Sequence, residues 1–117
     1  MLHPTLTTLF RIAFGCCIAI VLYYAVAPTL PPQMEGQDKY AHMLAFAALG
    51  LTGGMGWPRH WWTLNLGLLA LGGAIELVQW TTPSRVADAG DLLSNVVGQA
   101  LGVAGARLLL AAAGVKA

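Results

Sequence analysis

Apolar residues along this chain fall into four long runs, each separated from the next by a short polar or proline-bearing stretch. The first extends from Ile12 to Ala27 behind Arg11, and the second from Tyr40 to Trp57 with His42 near its start. The third occupies Trp61 to Trp80, with Glu76 and Gln79 near its end; the fourth reaches from Leu92 to Leu110, interrupted by Asn95 and Arg107. Each is close to the roughly 17–25 residues that carry an α-helix across about 30 Å of hydrocarbon. The pattern predicts an all-α fold, a polytopic transmembrane bundle of four helices at 10–27, 40–57, 61–80 and 90–110, forming a single domain over residues 1–117.

The links support these limits. Pro28, Pro31 and Pro32 cannot continue a helix and open an exposed connection. Pro58-Arg59-His60 is a very short hairpin that makes the second and third helices antiparallel neighbours, and Thr81-Thr82-Pro83-Ser84 ends the third. Ala25-Val26-Ala27 has the small-x-small look of a signal-peptide cleavage site, but Pro28 would follow the cut, so a retained helix is expected.

Composition strengthens the membrane reading. Hydrophobic residues make up 57% and charged residues 9% of 117, against about 25% charged in a soluble domain, too few to cover a water-facing surface. A net charge of +1 leaves no cluster of Lys and Arg for phosphate contacts, so no nucleic-acid partner is expected. Cys16 and Cys17 are adjacent on a helix, where side chains diverge by about 100°, and they read as packing residues rather than a disulfide or metal pair.

Charge also sets an orientation. Arg11, Arg59, Arg107 and Lys116 belong to the side of the two termini, whereas Lys39 and Arg85 lie opposite among Glu35, Asp38, Asp88 and Asp91. The positive-inside rule then predicts cytoplasmic termini. Trp57, Trp61 and Trp62 mark one interface; Tyr23, Tyr24, Tyr40 and Trp80 mark the other. Gly98, Gly102 and Ala106, four apart, give the fourth helix a small-residue face for close helix packing, within the bundle or in a homo-oligomer seam.

The remaining polar residues are separated in sequence yet belong to one membrane face. Asp38 and His42 share a helix face four apart, as do Glu76 and Gln79 three apart. Asp88, Asp91 and Asn95 form a stripe that continues into Gly98 and Gly102, on the packed side of the fourth helix. Glu76 is the most costly of these, because a carboxylate at mid-span costs on the order of 3 kcal/mol on insertion scales and less near the interface. It needs a partner, with Arg85 the first candidate through its bidentate fork and His42 the second. Asp38 equally suits a helix N-cap.

In these blocks, Asp38-Lys39-x-x-His42, Glu76-x-x-Gln79 and Arg85-x-x-Asp88-x-x-Asp91-x-x-x-Asn95-x-x-Gly98, the sequence resembles the VanZ-like family over residues 9 to 110. These are small bacterial membrane proteins associated with teicoplanin-type glycopeptide resistance. The resemblance implies a bacterial plasma-membrane location and a link to envelope biology; it implies no reaction.

Three functional readings follow. In the first, Lys39 and Arg85 hold an anionic lipid headgroup or lipid-linked envelope precursor, Gln79 and Asn95 donate hydrogen bonds, and Glu76, Asp88 and Asp91 position the cations. In the second, an intramembrane enzyme acts on lipid headgroups with His42 as general base, Asp38 orienting it and Glu76 as general acid. No metal or other cofactor is expected, although His42, Glu76, Asp88 and Asp91 together have the donor types a divalent ion takes. In the third, the polar cluster only fixes packing or recruits another envelope protein. Four spans without an internal repeat leave little room for a transporter.

Overall fold

A computed structural model describes residues 2–26, 37–81 and 89–115, with side chains for all of these except 26, 37–39 and 89. Within them the chain forms four helices: α1 Pro4–Val26, α2 Gln37–Gly56, α3 Trp61–Thr81 and α4 Ala89–Ala112. The fold is all-α, with no strand among the described residues.

The helix ends have local causes. Pro4 occupies the first position of α1, where its missing N–H has no cost, and the His3 ring nitrogen Nδ1 accepts the Thr5 N–H at 3.1 Å. This starts α1 several residues ahead of its apolar run. Between α2 and α3 the turn at 57–60 closes through the His60 N–H to the Trp57 carbonyl, 3.1 Å, and the His60 carbonyl accepts from Leu64 N–H. Gly114, at φ +75°, takes the left-handed conformation that ends α4. There Val115 N–H reaches the Leu110 carbonyl and Gly114 N–H reaches that of Ala111, the paired bonds of a Schellman cap.

The outer surface is apolar. Leu44, Leu66, Leu77, Leu93, Leu101 and Leu108 are each at least 60% exposed. Water would not tolerate that many outward leucines, and lipid does. Tyr23, Tyr24, Tyr40 and Trp80 are exposed at one end, and Trp62 at the other. The molecule measures 47 Å along its longest axis, against about 40–45 Å for a bilayer with its headgroups.

Among the described residues three segments are long and apolar enough to cross a membrane: Pro4–Ala25, Trp61–Thr81 and Gly90–Ala112. Helix α2 forms as expected but does not meet that measure by itself, since it carries Gln37, Asp38, Lys39, His42, Thr52 and four glycines. Its place in the bundle explains why this is tolerable. From Ala45 to Gly56 no residue of α2 is exposed, because α4 and α1 cover it most and α3 covers it in part.

The dominant contact is α2 on α4, which run parallel, whereas the hairpin-linked α2 and α3 touch far less. Gly98 lies against the Met43 carbonyl and Gly102 against that of Ala47. In return, a Cβ at Gly50 would stand 2.7 Å from the Gln99 carbonyl oxygen, and one at Gly54 2.6 Å from the Ala106 Cβ. Small residues on both helices thus bring the two backbones together, the arrangement that replaces hydrophobic drive in lipid. The Gly98/Gly102 face is therefore covered by α2 within one chain.

Candidate functional site

At the end of the bundle where α2 and α4 begin, three polar side chains meet. His42 lies in the second turn of α2, and Asp91 and Asn95 are one turn apart on α4. The His42 Nδ1 stands 3.1 Å from Asn95 Oδ1, and its Nε2 stands 3.9 Å from Asp91 Oδ2. Asp91 and Asn95 are each only 1% exposed, so the contact is made away from solvent.

The parallel α2–α4 packing makes this meeting possible. Gly98, one turn below Asn95, allows the Met43 backbone close enough for the neighbouring His42 to reach across. On the other side Gly72 of α3 faces the Asn95 amide, and a Cβ there would stand 3.2 Å from Nδ2. Leu68, Gly72, Ile75, Glu76 and Gln79 form the buried face of α3. Glu76 is therefore one turn beyond Gly72 on the side that looks into the bundle.

Gln79 takes a different partner. Its Nε2 donates to the Ala25 carbonyl at 3.4 Å, so it serves one of the carbonyls left open in the last turn of α1. Asp38 and Lys39 are in the first turn of α2, with side chains outside the described residues; Arg85 and Asp88 lie outside them altogether.

Nδ1 is the ring nitrogen within hydrogen-bond distance of a partner; Asp91 Oδ2, at 3.9 Å, is too far from Nε2 for a hydrogen bond. If Nδ1 carries a proton, Asn95 accepts through Oδ1; if it does not, the amide turns over and donates to Nδ1 instead. Either way Nδ1 is bonded to Asn95, Nε2 faces the Asp91 carboxylate at 3.9 Å, and one buried amide atom of Asn95 is left facing Gly72. As oriented, that atom is Nδ2, a donor with no hydrogen-bond partner among the described residues.

The polar file continues inward. Gln99, one turn past Asn95 and 4% exposed, donates from Nε2 to the Asn65 carbonyl and Oδ1, both at 3.1 Å. Asn65 in turn donates to the Trp61 carbonyl at 2.8 Å. Ser94, also buried, donates to the Gly90 carbonyl within its own helix. Sequence reasoning did not single out Asn65, Ser94 or Gln99. The available signal was the four-residue step Asp91, Asn95, Gln99, which sets three polar residues in one column.

The opposite end is basic and aromatic. Arg11 donates from Nε to the Gly56 carbonyl at 2.8 Å and stands over the Trp57 ring at 5.1 Å; Arg107 stands over Trp61 at 4.9 Å. Both distances suit cation–π contact. Arg11, Arg59 and Arg107 thus share the end that holds the 57–60 turn.

Among the described residues no group of three or more His, Cys, Asp or Glu side chains is placed to hold a metal ion. Asp88, one of the four residues whose donor types would suit a divalent ion, is outside that set.

A family model described as VanZ/LLP1 matches residues 5–110, the span that contains every residue of the cluster. No curated protein and no solved structure matches the chain. Nearly the whole sequence falls within the family match, blocks and helices alike, and this membrane protein belongs to the VanZ/LLP1 family.

Proposed function

We propose that the His42–Asp91–Asn95 end of the bundle is a binding site for an anionic lipid headgroup or lipid-linked envelope precursor. The observation that carries this reading is the Asn95 amide. It is 1% exposed, held by His42 on one side, and keeps one polar atom without a partner among the described residues. A buried polar atom left in that state costs about 1–3 kcal/mol, a cost that a ligand oxygen or hydroxyl removes. Glycerol and sugar hydroxyls suit either orientation of the amide, since they both donate and accept. Lys39 and Arg85 are the cations assigned to the phosphate or carboxylate, and Glu76 and Asp91 keep the site from being a simple anion trap.

In this reading the protein is a multi-pass protein of the bacterial plasma membrane with both termini in the cytoplasm. The site then opens toward the envelope side. Capture of an envelope precursor there is the route by which a role in glycopeptide tolerance would arise.

The test is lipid retention by native mass spectrometry after gentle detergent extraction. The wild-type protein should keep an anionic or glycosylated lipid, and Asn95→Leu and Arg85→Ala should each keep far less. A wild-type protein without bound lipid, or variants that retain the same lipid equally well, would leave the cluster as a packing feature.

A further inference from the structure

At the end of the molecule away from Asn95, the seam between α1 and α3 opens into a groove of about 610 Å³. That is within the roughly 300–1,000 Å³ of ordinary small-molecule sites. Phe14 and Ile18 of α1 form one wall, Leu68 and Leu71 of α3 the other, and Trp57 and His60 bound one end. Its polar lining groups are gathered at that end, so whatever fills the body of the groove is hydrocarbon.

The length identifies the kind of hydrocarbon. From His60 to Leu71 the groove follows α3 for eleven residues, about 17 Å at 1.5 Å per residue. Half of a bilayer's hydrocarbon is about 15 Å. The groove therefore runs from the Trp57–His60 interface to the midplane, the depth of one acyl chain.

Gly67 leaves one wall of the groove without a side chain. Gly50, Gly98 and Gly102 let two backbones approach, but a Cβ at Gly67 would meet nothing within 4 Å. A glycine inside a helix costs about 1 kcal/mol relative to alanine. Gly15 and Gly73 are equally open, but only Gly67 lies in the lining, where a side chain would grow into the groove.

The mouth is positive. Arg11 is exposed and braced on Trp57, itself a lining residue; Arg59 and His60 are exposed in the adjoining turn. The acidic side chains described, Glu76 and Asp91, belong to the opposite end of α3 and α4. We infer that the α1–α3 groove is a specific site for an anionic glycerophospholipid, with one acyl chain along Gly67 and its headgroup against Arg11, Arg59 and His60. This site is separate from the Asn95 cluster and does not depend on the reading given to it.

Trp57 provides the test. A full-length protein keeping it as sole tryptophan (Trp61→Phe, Trp62→Phe, Trp80→Phe) is placed in phosphatidylcholine vesicles titrated with acyl-brominated lipid, whose bromine quenches a neighbouring indole. Brominated phosphatidylglycerol should quench Trp57 at about fivefold lower mole fraction than brominated phosphatidylcholine, the worth of one basic side chain near an anionic surface. Arg11→Gln with Arg59→Gln should abolish the preference. Gly67→Leu, which grows into open space, should reduce quenching by both lipids, whereas Gly73→Leu, equally open but outside the groove lining, should not. Identical titrations for the two lipids on the Trp57-only protein would overturn the inference, whichever variants fold. So would unchanged quenching in folded Gly67→Leu.

Discussion

Gln99 and Asn65 show what a polar side chain does when lipid surrounds the helices. Gln99 makes two bonds to Asn65, and Asn65 returns a third to its own helix at Trp61. Interhelical hydrogen bonds of this kind are worth about 0.6 kcal/mol on average and up to about 1.7 in a membrane protein. Gln99→Leu should destabilise the bundle by an amount in that range, measured by equilibrium unfolding in mixed micelles. Adding Asn65→Leu should cost less than its effect alone, because the partner is already gone. Strict additivity would mean that the pair is not coupled. The same scale separates Gln79 from the cluster, for its amide goes to the Ala25 carbonyl while His42, Asp91 and Asn95 meet one another.

Helices pair here by how closely their backbones can approach. Gly98 and Gly102 face carbonyls of α2, so Gly98→Ala or Gly102→Ala drives a methyl group into the Met43 or Ala47 backbone. Overpacking costs about 1–3 kcal/mol where the surroundings can yield, and backbone yields less than side chain. Gly73 has open space where its Cβ would stand, so Gly73→Ala should be neutral or gain up to about 1 kcal/mol from helix propensity. Thermal unfolding of the three variants in one detergent gives the order directly. Equal midpoints would show that α2 and α4 are not held by these contacts. The stability of α2 itself rests on this packing, since it lacks the apolar length of the other three helices.

The whole molecule is asymmetric along its long axis. Arg11 and Arg107 rest on Trp57 and Trp61 at one end, and buried Glu76, Asp91 and Asn95 lie toward the other. The orientation proposed above, with the basic end in the cytoplasm as the positive-inside rule has it, can be tested directly. In a background with Cys16 and Cys17 replaced by serine, an Arg59→Cys protein should resist a membrane-impermeant maleimide in intact cells and react after lysis. A Glu35→Cys protein should react before lysis. The reverse pattern would invert the molecule and turn the Asn95 site toward the cytoplasm.

Much of this could be read along the chain. The run of apolar residues, the prolines and the 57–60 turn define four helices because helix length and the lipid penalty on charge are local properties of the sequence. The steps Asp91, Asn95, Gly98 and Gly102 likewise show a buried face on α4, since helical period needs no knowledge of the partner. Which partner fills that face is a different matter. The short hairpin made α2 and α3 antiparallel neighbours, and they do touch, but it could not show that α4 packs on α2 far more closely, because fit between small-residue surfaces outweighs nearness in sequence. Only the packing of all four helices brings His42 to Asn95, sends Gln79 to α1, joins Gln99 to Asn65 and leaves the seam beside Gly67 open, because each of these is a contact between helices distant in sequence.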